Sequence, residues 1–294
     1  MTVLVIGGAG GMLAGALAKH AGVIAVGRPQ ADLADPETLE AMLRIHDASI
    51  VVCAGAFTQV DRAESAPEEA MRINAAGPGA LARLCAARGV PLIHISTDYV
   101  FDGEKPAPYV ETDAPAPLNA YGRSKLAGEQ SVAAAGGRFA ILRTSWTYAA
   151  SGANFVRTML RLAQTQDRIR VVDDQRGAPT WAPHLADAVL AVARRLVAER
   201  DTAICGVFHA TADGDCTWRG FAEAIFDGAR RRGGPSAAVE PIAGAQFPTA
   251  AARPRNSLLD SSKLRETYGV ALPDWRAGLE ACLDEIASGG WRVD

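Results

Sequence analysis

The feature that most constrains the fold is a regular alternation, over the first half of the chain, of short β-branched runs with longer alanine-rich stretches of helical spacing. Strands are predicted over residues 2–6, 23–26, 49–54, 91–96 and 140–144, and helices over residues 12–20, 36–45, 66–88 and 121–135. This order is typical of βαβ units, which form a parallel sheet with helices on both faces. The sequence therefore predicts an α/β fold with a doubly wound parallel sheet.

The alternation breaks down after about Trp146. Helices are predicted over residues 154–165, 185–200, 217–232 and 279–287, strands over residues 170–172 and 206–210, and loops over residues 173–181 and 246–257. We therefore expect a first domain over residues 1–148 and a smaller, irregular C-terminal part over residues 149–294. The helix near residues 185–200 is expected to return to the first domain.

Composition and charge argue against several classes of protein. The 294 residues are 49% hydrophobic and 21% charged, with 30 Lys and Arg against 33 Asp and Glu. A net charge of −3 does not favour a nucleic-acid-binding protein, which is usually strongly basic. The apolar runs are shorter than the roughly 20 residues of a membrane span, and no leader-like segment precedes the first strand. We expect a soluble cytoplasmic protein without nucleic-acid or membrane partners.

The spacing of cysteines and histidines predicts neither disulfides nor a zinc site. The five cysteines are an odd number with no CxxC pair, which is typical of free thiols in a reducing compartment. The five histidines do not occur at HExxH or HxH spacing, so no metal ligands are predicted.

Residues 3–14 run from a predicted strand through a glycine-rich turn into a predicted helix. Gly7 permits the tight turn, and Gly10 lets the backbone approach a pyrophosphate at the helix N-terminus. Glycines are common in ordinary turns, but this position in a βαβ unit favours a Rossmann-type dinucleotide site. The third glycine of the pattern would fall at Leu13. Either the helix lies slightly farther from the sheet, or Ala14 and Gly15 provide the close packing.

The end of the second predicted strand indicates which dinucleotide binds. Folds that bind NAD usually place an acid there to hold the ribose 2′-hydroxyl, whereas this chain has Gly27 and Arg28. A cation favours a 2′-phosphate, so we expect NADPH, with NADH as the alternative if Arg28 is only a solvated surface residue. Asp32 and Leu33 follow closely enough to contact the adenine.

Tyr121 and Lys125 are four residues apart at the start of a predicted helix, so both side chains lie on one helix face. A nearby ammonium favours the phenolate, and the spacing therefore predicts a lowered pKa for Tyr121 and a role as proton donor to a carbonyl. A Tyr–Lys pair also occurs by chance on amphipathic helices. Ser96 and Thr97 strengthen the functional interpretation, because they end the preceding strand at the edge of the sheet where ligands bind.

These motifs together resemble the extended short-chain dehydrogenase/reductases and, more narrowly, the dTDP-4-dehydrorhamnose reductase family. The stretches that carry the resemblance extend over nearly the whole chain in family order: residues 7–10, 58–64, Asn74, residues 96–101, 121–129, 143–148, 154–155, 174–180, 253–254, Ser257 and Asp260. The departures are Leu13 for the third glycine, Gly27 where an acid is common, and Cys53 where asparagine is usual.

The resemblance implies a role for each matching residue. The implied cofactor-binding residues are Gly7, Gly10, Gly11, Met12, Leu13, Arg28, Asp32, Leu33, Ala56, Phe57, Thr58, Tyr121 and Lys125. Tyr121 would protonate the C4 oxygen of a 4-keto-6-deoxysugar nucleotide as NADPH reduces it, with Lys125 and Thr97 as the other catalytic residues. The implied substrate-binding residues are Thr97, Asp98, Tyr99, Trp146 and Arg253. Trp146 has an alternative interpretation as core, and Arg253 as an exposed loop residue.

The expected reaction is reduction of dTDP-4-dehydro-6-deoxy-L-mannose (dTDP-4-dehydro-L-rhamnose) to dTDP-L-rhamnose. The alternatives are a reductase or epimerase of another 4-keto-deoxysugar nucleotide, and a non-catalytic regulatory subunit like that of methionine adenosyltransferase. A dehydratase is disfavoured because Thr97 and Asp98 are followed by Tyr99 and not by a glutamate. A homodimer is expected because dimers are the commonest soluble oligomers. A Mg²⁺ requirement is implied by the resemblance only.

Overall fold

The computed structural model describes residues 1–292 and has twelve strands and eleven α-helices within that range. The strands are β1 (Val3–Ile6), β2 (Val23–Val26), β3 (Ile50–Cys53), β4 (Leu92–Thr97), β5 (Phe139–Thr144), β6 (Thr147–Tyr148), β7 (Arg168–Val172), β8 (Arg176–Gly177), β9 (Thr180–Trp181), β10 (Gly206–His209), β11 (Cys216–Thr217) and β12 (Ala238–Ile242). The helices are α1 (Met12–Leu17), α2 (Pro36–Ile45), α3 (Val60–Ser65), α4 (Pro67–Met71), α5 (Gly77–Ala87), α6 (Ala120–Ala133), α7 (Phe155–Leu162), α8 (Ala182–Ala198), α9 (Trp218–Arg231), α10 (Ser262–Tyr268) and α11 (Trp275–Ser288).

The central sheet confirms the predicted α/β class. Its six strands are all parallel and follow the order β10–β5–β4–β3–β1–β2. Every residue of β1 and β3 is buried, as expected for strands covered on both faces. One face packs on α1 and α8 through Val3, Val5 and Leu185, and the other on α2 and α5 through Leu4 and Ile6.

The C-terminal part of the chain forms a separate apolar core between α7, α9 and α11, centred on Phe221 and Leu283. The central sheet nevertheless includes β10, and α8 packs on α1, so the sheet and its covering helices extend beyond residue 148. The predicted division of binding roles between residues 1–148 and 149–294 stays a prediction.

Among residues 1–292, none of the helices has both the length and the apolar character of a membrane span.

The helix predicted over residues 66–88 is interrupted. The structure has α4, then a π-helical turn over Arg72–Ala76, then α5. Pro78 has no backbone N–H to donate to the carbonyl of Asn74, so regular α-helical bonding cannot continue through this point. α6 packs closely against this turn, since a Cβ on Gly128 would lie 2.1 Å from the Asn74 carbonyl oxygen.

A buried ion pair joins α6 to the sheet. Arg143 of β5 donates from Nε and Nη2 to the two carboxylate oxygens of Glu129, at 2.9 and 2.7 Å. The hydroxyl of Ser96 in β4 donates to the same carboxylate at 2.5 Å. Both charged side chains are 4% exposed, so the carboxylate and guanidinium depend on each other for solvation.

We predict that Arg143→Met lowers the free energy of unfolding by about 3–5 kcal/mol, because it leaves the Glu129 carboxylate buried without its partner. Urea denaturation measures this change. The matched control is Arg230→Met, which removes an ion pair whose side chains are about 60% exposed and which should cost less than about 1 kcal/mol. Equal losses in the two variants would contradict the prediction.

Candidate active site

A cleft of ≈ 740 Å³ opens at the carboxyl ends of β1, β2 and β3, where the strand order reverses between β1 and β3. Open α/β sheets bind ligands at such a point. Eleven of the predicted cofactor-binding residues line this cleft: Gly7, Gly10, Gly11, Met12, Leu13, Arg28, Asp32, Leu33, Ala56, Phe57 and Thr58. The fold therefore brings them together around one space, and their role in binding stays a prediction.

Two glycines explain how the chain departs from the usual glycine pattern. A Cβ on Gly15 would lie 2.5 Å from the carbonyl oxygen of Ala9, so Gly15 provides the close packing that a glycine at position 13 would otherwise give. A Cβ on Gly27 would lie 2.5 Å from the Cα of Gly8. No acid can occupy position 27 without moving the glycine turn.

The cleft has room for a pyrophosphate beside bare backbone. A Cβ built on Gly10 would meet no atom within 4 Å, so the space over this residue is open on the cleft side. Arg28 is exposed and makes no hydrogen bond or ion pair with another of residues 1–292. Its guanidinium is therefore available for an anion, and the residues present fit a dinucleotide with a 2′-phosphate.

The three predicted catalytic residues come from β4 and α6. Thr97 ends β4, and Tyr121 and Lys125 lie one turn apart near the start of α6, whose N-terminus is capped by the Asn119 side chain. Tyr121 packs against the apolar cluster that contains Phe57, a residue of the cleft wall. Tyr121 thus contacts the cluster of a cleft-wall residue, while Thr97, Tyr121 and Lys125 are not themselves among the residues that line the cleft.

The predicted lowering of the Tyr121 pKa is wrong for this structure. Burial raises the pKa of Tyr121 to about 12, against a smaller opposing effect of the Thr97 hydroxyl. Lys125 is not among the groups that shift this pKa, and its Nζ donates to the Ile95 carbonyl oxygen at 2.6 Å. Burial lowers the pKa of Lys125 itself to about 8. The helical spacing predicts that the two side chains share a helix face, but it does not predict their burial, and burial is the largest effect on the pKa of Tyr121.

The predicted substrate-binding residues Asp98, Tyr99 and Arg253 lie around this end of β4. Asp98 is buried beside Thr97, and the Tyr99 ring meets the Tyr121 ring edge to face at 5.6 Å between centroids. The Arg253 guanidinium lies 5.9 Å from the centroid of the Tyr99 ring. These residues thus surround the tyrosine that the sequence singled out.

Arg253 is held by an acid on the other side of the site. Asp61 of α3 accepts from Arg253 Nη2 at 2.8 Å and from the backbone N–H of Ala251 at 3.0 Å. α3 follows directly on the cleft residues Phe57 and Thr58. Asp61 therefore joins the wall of the cleft to the loop that carries Arg253.

Trp146 has an unusual backbone conformation. Its φ is +47°, a left-handed value that is rare for a bulky side chain. The indole stacks on Trp218 with centroids 3.5 Å apart, and a Cβ on Gly177 would lie 2.4 Å from the ring. Trp146 is thus packed between Trp218 and Gly177 while remaining partly exposed, and both its predicted contact with the sugar and its alternative as core stay open.

Sequence reasoning missed several residues of the site. Gln59 and Arg62 line the cleft, and their place in the family-like stretch 58–64 was a usable signal. Asn74 is buried and binds the Phe57 backbone from both side-chain atoms, at 2.7 and 3.0 Å. Gly152 and Ala153 also line the cleft, without any motif to indicate it.

Known proteins are similar to this chain over nearly its whole length. A family model described as RmlD substrate binding domain matches residues 1–288. The chain is 44% identical over 276 residues to a dTDP-4-dehydrorhamnose reductase of Sinorhizobium fredii, covering 92% of this chain and 93% of the relative. It is 42% identical over 299 residues to one of Burkholderia thailandensis, covering 98% and 100%. A solved dTDP-4-dehydrorhamnose reductase of Bacillus anthracis in complex with NADP has a TM-score of 0.89 at 33% identity, with 97% and 100% covered.

We predict that Gly10→Ala weakens NADPH binding about tenfold or more without changing thermal stability, because the added methyl group occupies only the open space over the turn. Gly15→Ala is the comparison variant, since its methyl group collides with the Ala9 carbonyl and should lower the melting temperature. Fluorescence titration and thermal denaturation measure the two effects. A loss of stability in Gly10→Ala equal to that in Gly15→Ala would contradict this assignment.

Proposed function

The chain belongs to the RmlD substrate binding domain family, and from this membership we propose that it reduces the C4 keto group of dTDP-4-dehydro-6-deoxy-L-mannose to give dTDP-L-rhamnose. The observation that carries the proposal is the cleft lined by eleven predicted cofactor-binding residues, with Tyr121 packed against the cluster of its wall residue Phe57. The relatives that share the fold and 42–44% of the sequence carry the name of this reductase. NADPH is the proposed cofactor, since the solved relative was described with NADP.

NADPH supplies the hydride when it is bound, and the chain's residues hold it and complete the reaction. The backbone of residues 7–13 binds the pyrophosphate, and Arg28 pairs with the 2′-phosphate. Asp32 and Leu33 contact the adenine, while residues 56–58 form the opposite wall. The open cleft over Gly10 and the unpaired guanidinium of Arg28 support these roles.

Tyr121 donates the proton to the C4 oxygen. Its raised pKa, about 12, keeps the phenol protonated at neutral pH, so the proton is in place when the carbonyl oxygen gains negative charge. Thr97 binds the same oxygen and polarises the carbonyl. Lys125 contacts the nicotinamide ribose and stabilises the phenolate that remains.

Asp98, Tyr99 and Trp146 contact the sugar, and Arg253 binds the diphosphate. The planar guanidinium matches phosphate oxygens, and in this structure the Asp61 carboxylate holds it in place. The homodimer remains part of the proposal. The Mg²⁺ requirement is not proposed, because no cluster of three or more metal-binding side chains occurs within residues 1–292.

The decisive assay follows NADPH oxidation with dTDP-4-dehydro-L-rhamnose made in situ from dTDP-glucose by a dehydratase and an epimerase. Formation of dTDP-L-rhamnose supports the proposal. Binding of NADPH without turnover would refute it, and would favour first another 4-keto-deoxysugar nucleotide and then a regulatory binding protein.

We predict that Tyr121→Phe lowers kcat by about 10²–10⁴-fold, the usual contribution of a general acid, while NADPH binds as in the wild type. Only the hydroxyl is removed, and the ring still packs against the Phe57 cluster. The control is Tyr268→Phe, which removes a hydroxyl that donates to the Ile204 carbonyl outside the cleft. Retention of wild-type turnover in Tyr121→Phe would exclude the phenol as the donor.

We predict that Arg28→Ala weakens NADPH binding about ten- to a hundredfold and leaves NADH binding unchanged, because a charge-assisted hydrogen bond contributes about 1.5–3 kcal/mol. Arg200→Ala, at an exposed arginine after α8, serves as the control. Titration of each variant with both cofactors gives the ratio of the NADPH and NADH dissociation constants. Equal weakening of the two would show that Arg28 does not bind the 2′-phosphate.

A further inference from the structure

The hydroxyl of Thr97 has one hydrogen and two neighbours that could accept it, the carboxyl group of Asp98 and the phenol oxygen of Tyr121. Its Oγ1 accepts from the backbone N–H of Tyr99 at 3.2 Å and lies 3.0 Å from Oδ1 of Asp98. The Tyr121 phenol is close enough for the hydroxyl to lower its pKa. Because a threonine donates a single hydrogen bond, the partner of that hydrogen decides what Thr97 can do.

The protonation state of Asp98 determines this choice. A carboxylate only accepts hydrogen bonds, so an ionised Asp98 takes the Thr97 hydrogen and leaves Oγ1 without a donor for a substrate. A neutral carboxylic acid whose proton is on Oδ1, the oxygen 3.0 Å from Oγ1, donates to the threonine instead. The Thr97 hydrogen is then free to bind a carbonyl oxygen.

The surroundings of Asp98 shift its protonation toward the neutral acid, which predominates only below the pKa of this group. The residue is 3% exposed, its Oδ2 has no hydrogen-bond partner, and it forms no ion pair with another of residues 1–292. Burial raises the pKa of Asp98 to about 6, although the hydroxyls of Ser257 and Thr97 and nearby backbone N–H groups act in the opposite direction.

The charged and titratable groups around Asp98 do not stabilise its carboxylate. The phenols of Tyr99 and Tyr121 are neutral at physiological pH because burial raises the pKa of each. The two cations of the site have other partners. Lys125 donates to the Ile95 carbonyl, and Arg253 pairs with Asp61.

We infer that Asp98 acts in the reduction as a neutral carboxylic acid that donates its hydrogen to Thr97 Oγ1, so that the Thr97 hydroxyl can bind the substrate carbonyl. The inference rests on the proposed function. Asp98 is a positioning residue in this role, since it acts on the reacting oxygen through Thr97. Asp98 transfers no proton in this role, because the proton that the reduction consumes comes from Tyr121, which regains it from solvent.

The test is the pH dependence of single-turnover reduction in the wild type and in Asp98→Asn. The wild-type rate should fall about tenfold per pH unit as the pH rises above the pKa of Asp98. An asparagine donates to Thr97 at every pH, so the ratio of the Asp98→Asn rate to the wild-type rate should rise about tenfold per unit over the same range. Asp102→Asn makes the same change at a partly exposed acid that accepts a hydrogen bond from Tyr109 and should keep the wild-type profile.

Two further measurements separate this role from a purely structural one. In a Thr97→Val background, Asp98→Asn should no longer change the pH profile, because its effect passes through the threonine. Infrared difference spectra of wild type against Asp98→Asn should contain the band of a protonated carboxyl group at about pH 5, with no substrate present.

The inference is overturned if the wild type lacks the descending limb, if Asp98→Asn keeps it, or if the carboxyl band is absent. It is also overturned if Asp98→Asn is slowed as much as Thr97→Val at every pH. Failure of the wild type to reduce the sugar nucleotide at any pH refutes the proposed function and, with it, this inference. Turnover without the pH effect refutes the inference alone.

Discussion

The close packing of α6 against the turn that follows β4 and against the π-helical turn is the constraint on which the candidate site depends. A Cβ on Gly122 would lie 2.1 Å from the Tyr99 carbonyl oxygen, and one on Gly128 would lie equally close to that of Asn74. At this short distance the Glu129 carboxylate reaches Arg143 in the sheet. Tyr121 and Lys125 belong to the same rigid helix, so their positions relative to the end of β4 are fixed by packing that is remote from the cleft.

The sequence predicted best the elements whose signal is local. The runs of β1 and β2 are continuously apolar and end at glycines, and α2 begins with a capping Asp35 before Pro36 and Glu37. These features specify strands and helices without long-range contacts. The glycine turn likewise located residues that the fold brings to the cleft, and the Tyr–Lys spacing correctly placed both residues near the start of one helix.

The remaining features depend on contacts between distant segments. α3 and α10 have no side-chain cap at their first turn, and β12 contains Pro241, so local patterns do not reveal them. The direction in which the pKa of Tyr121 shifts depends on its burial by surrounding residues, and the spacing of residues along a helix does not predict burial. The departures at Leu13 and Gly27 also depend on contacts in the folded chain. Gly15 packs closely against the Ala9 carbonyl in place of a glycine at position 13, and Gly8 leaves no room for a side chain at position 27.

The contact between Asp61 and Arg253 has a thermodynamic consequence. It joins α3, which follows the cleft residues Phe57 and Thr58, to the loop proposed to hold the diphosphate. A movement of either segment therefore changes the position of the other. Binding free energies that are coupled in this way are reciprocal. If an occupied cleft favours one orientation of Arg253 and so tightens the sugar nucleotide, the sugar nucleotide must tighten the cofactor by the same factor. One carboxylate can thereby make the two ligands cooperative, even though they occupy different parts of the site.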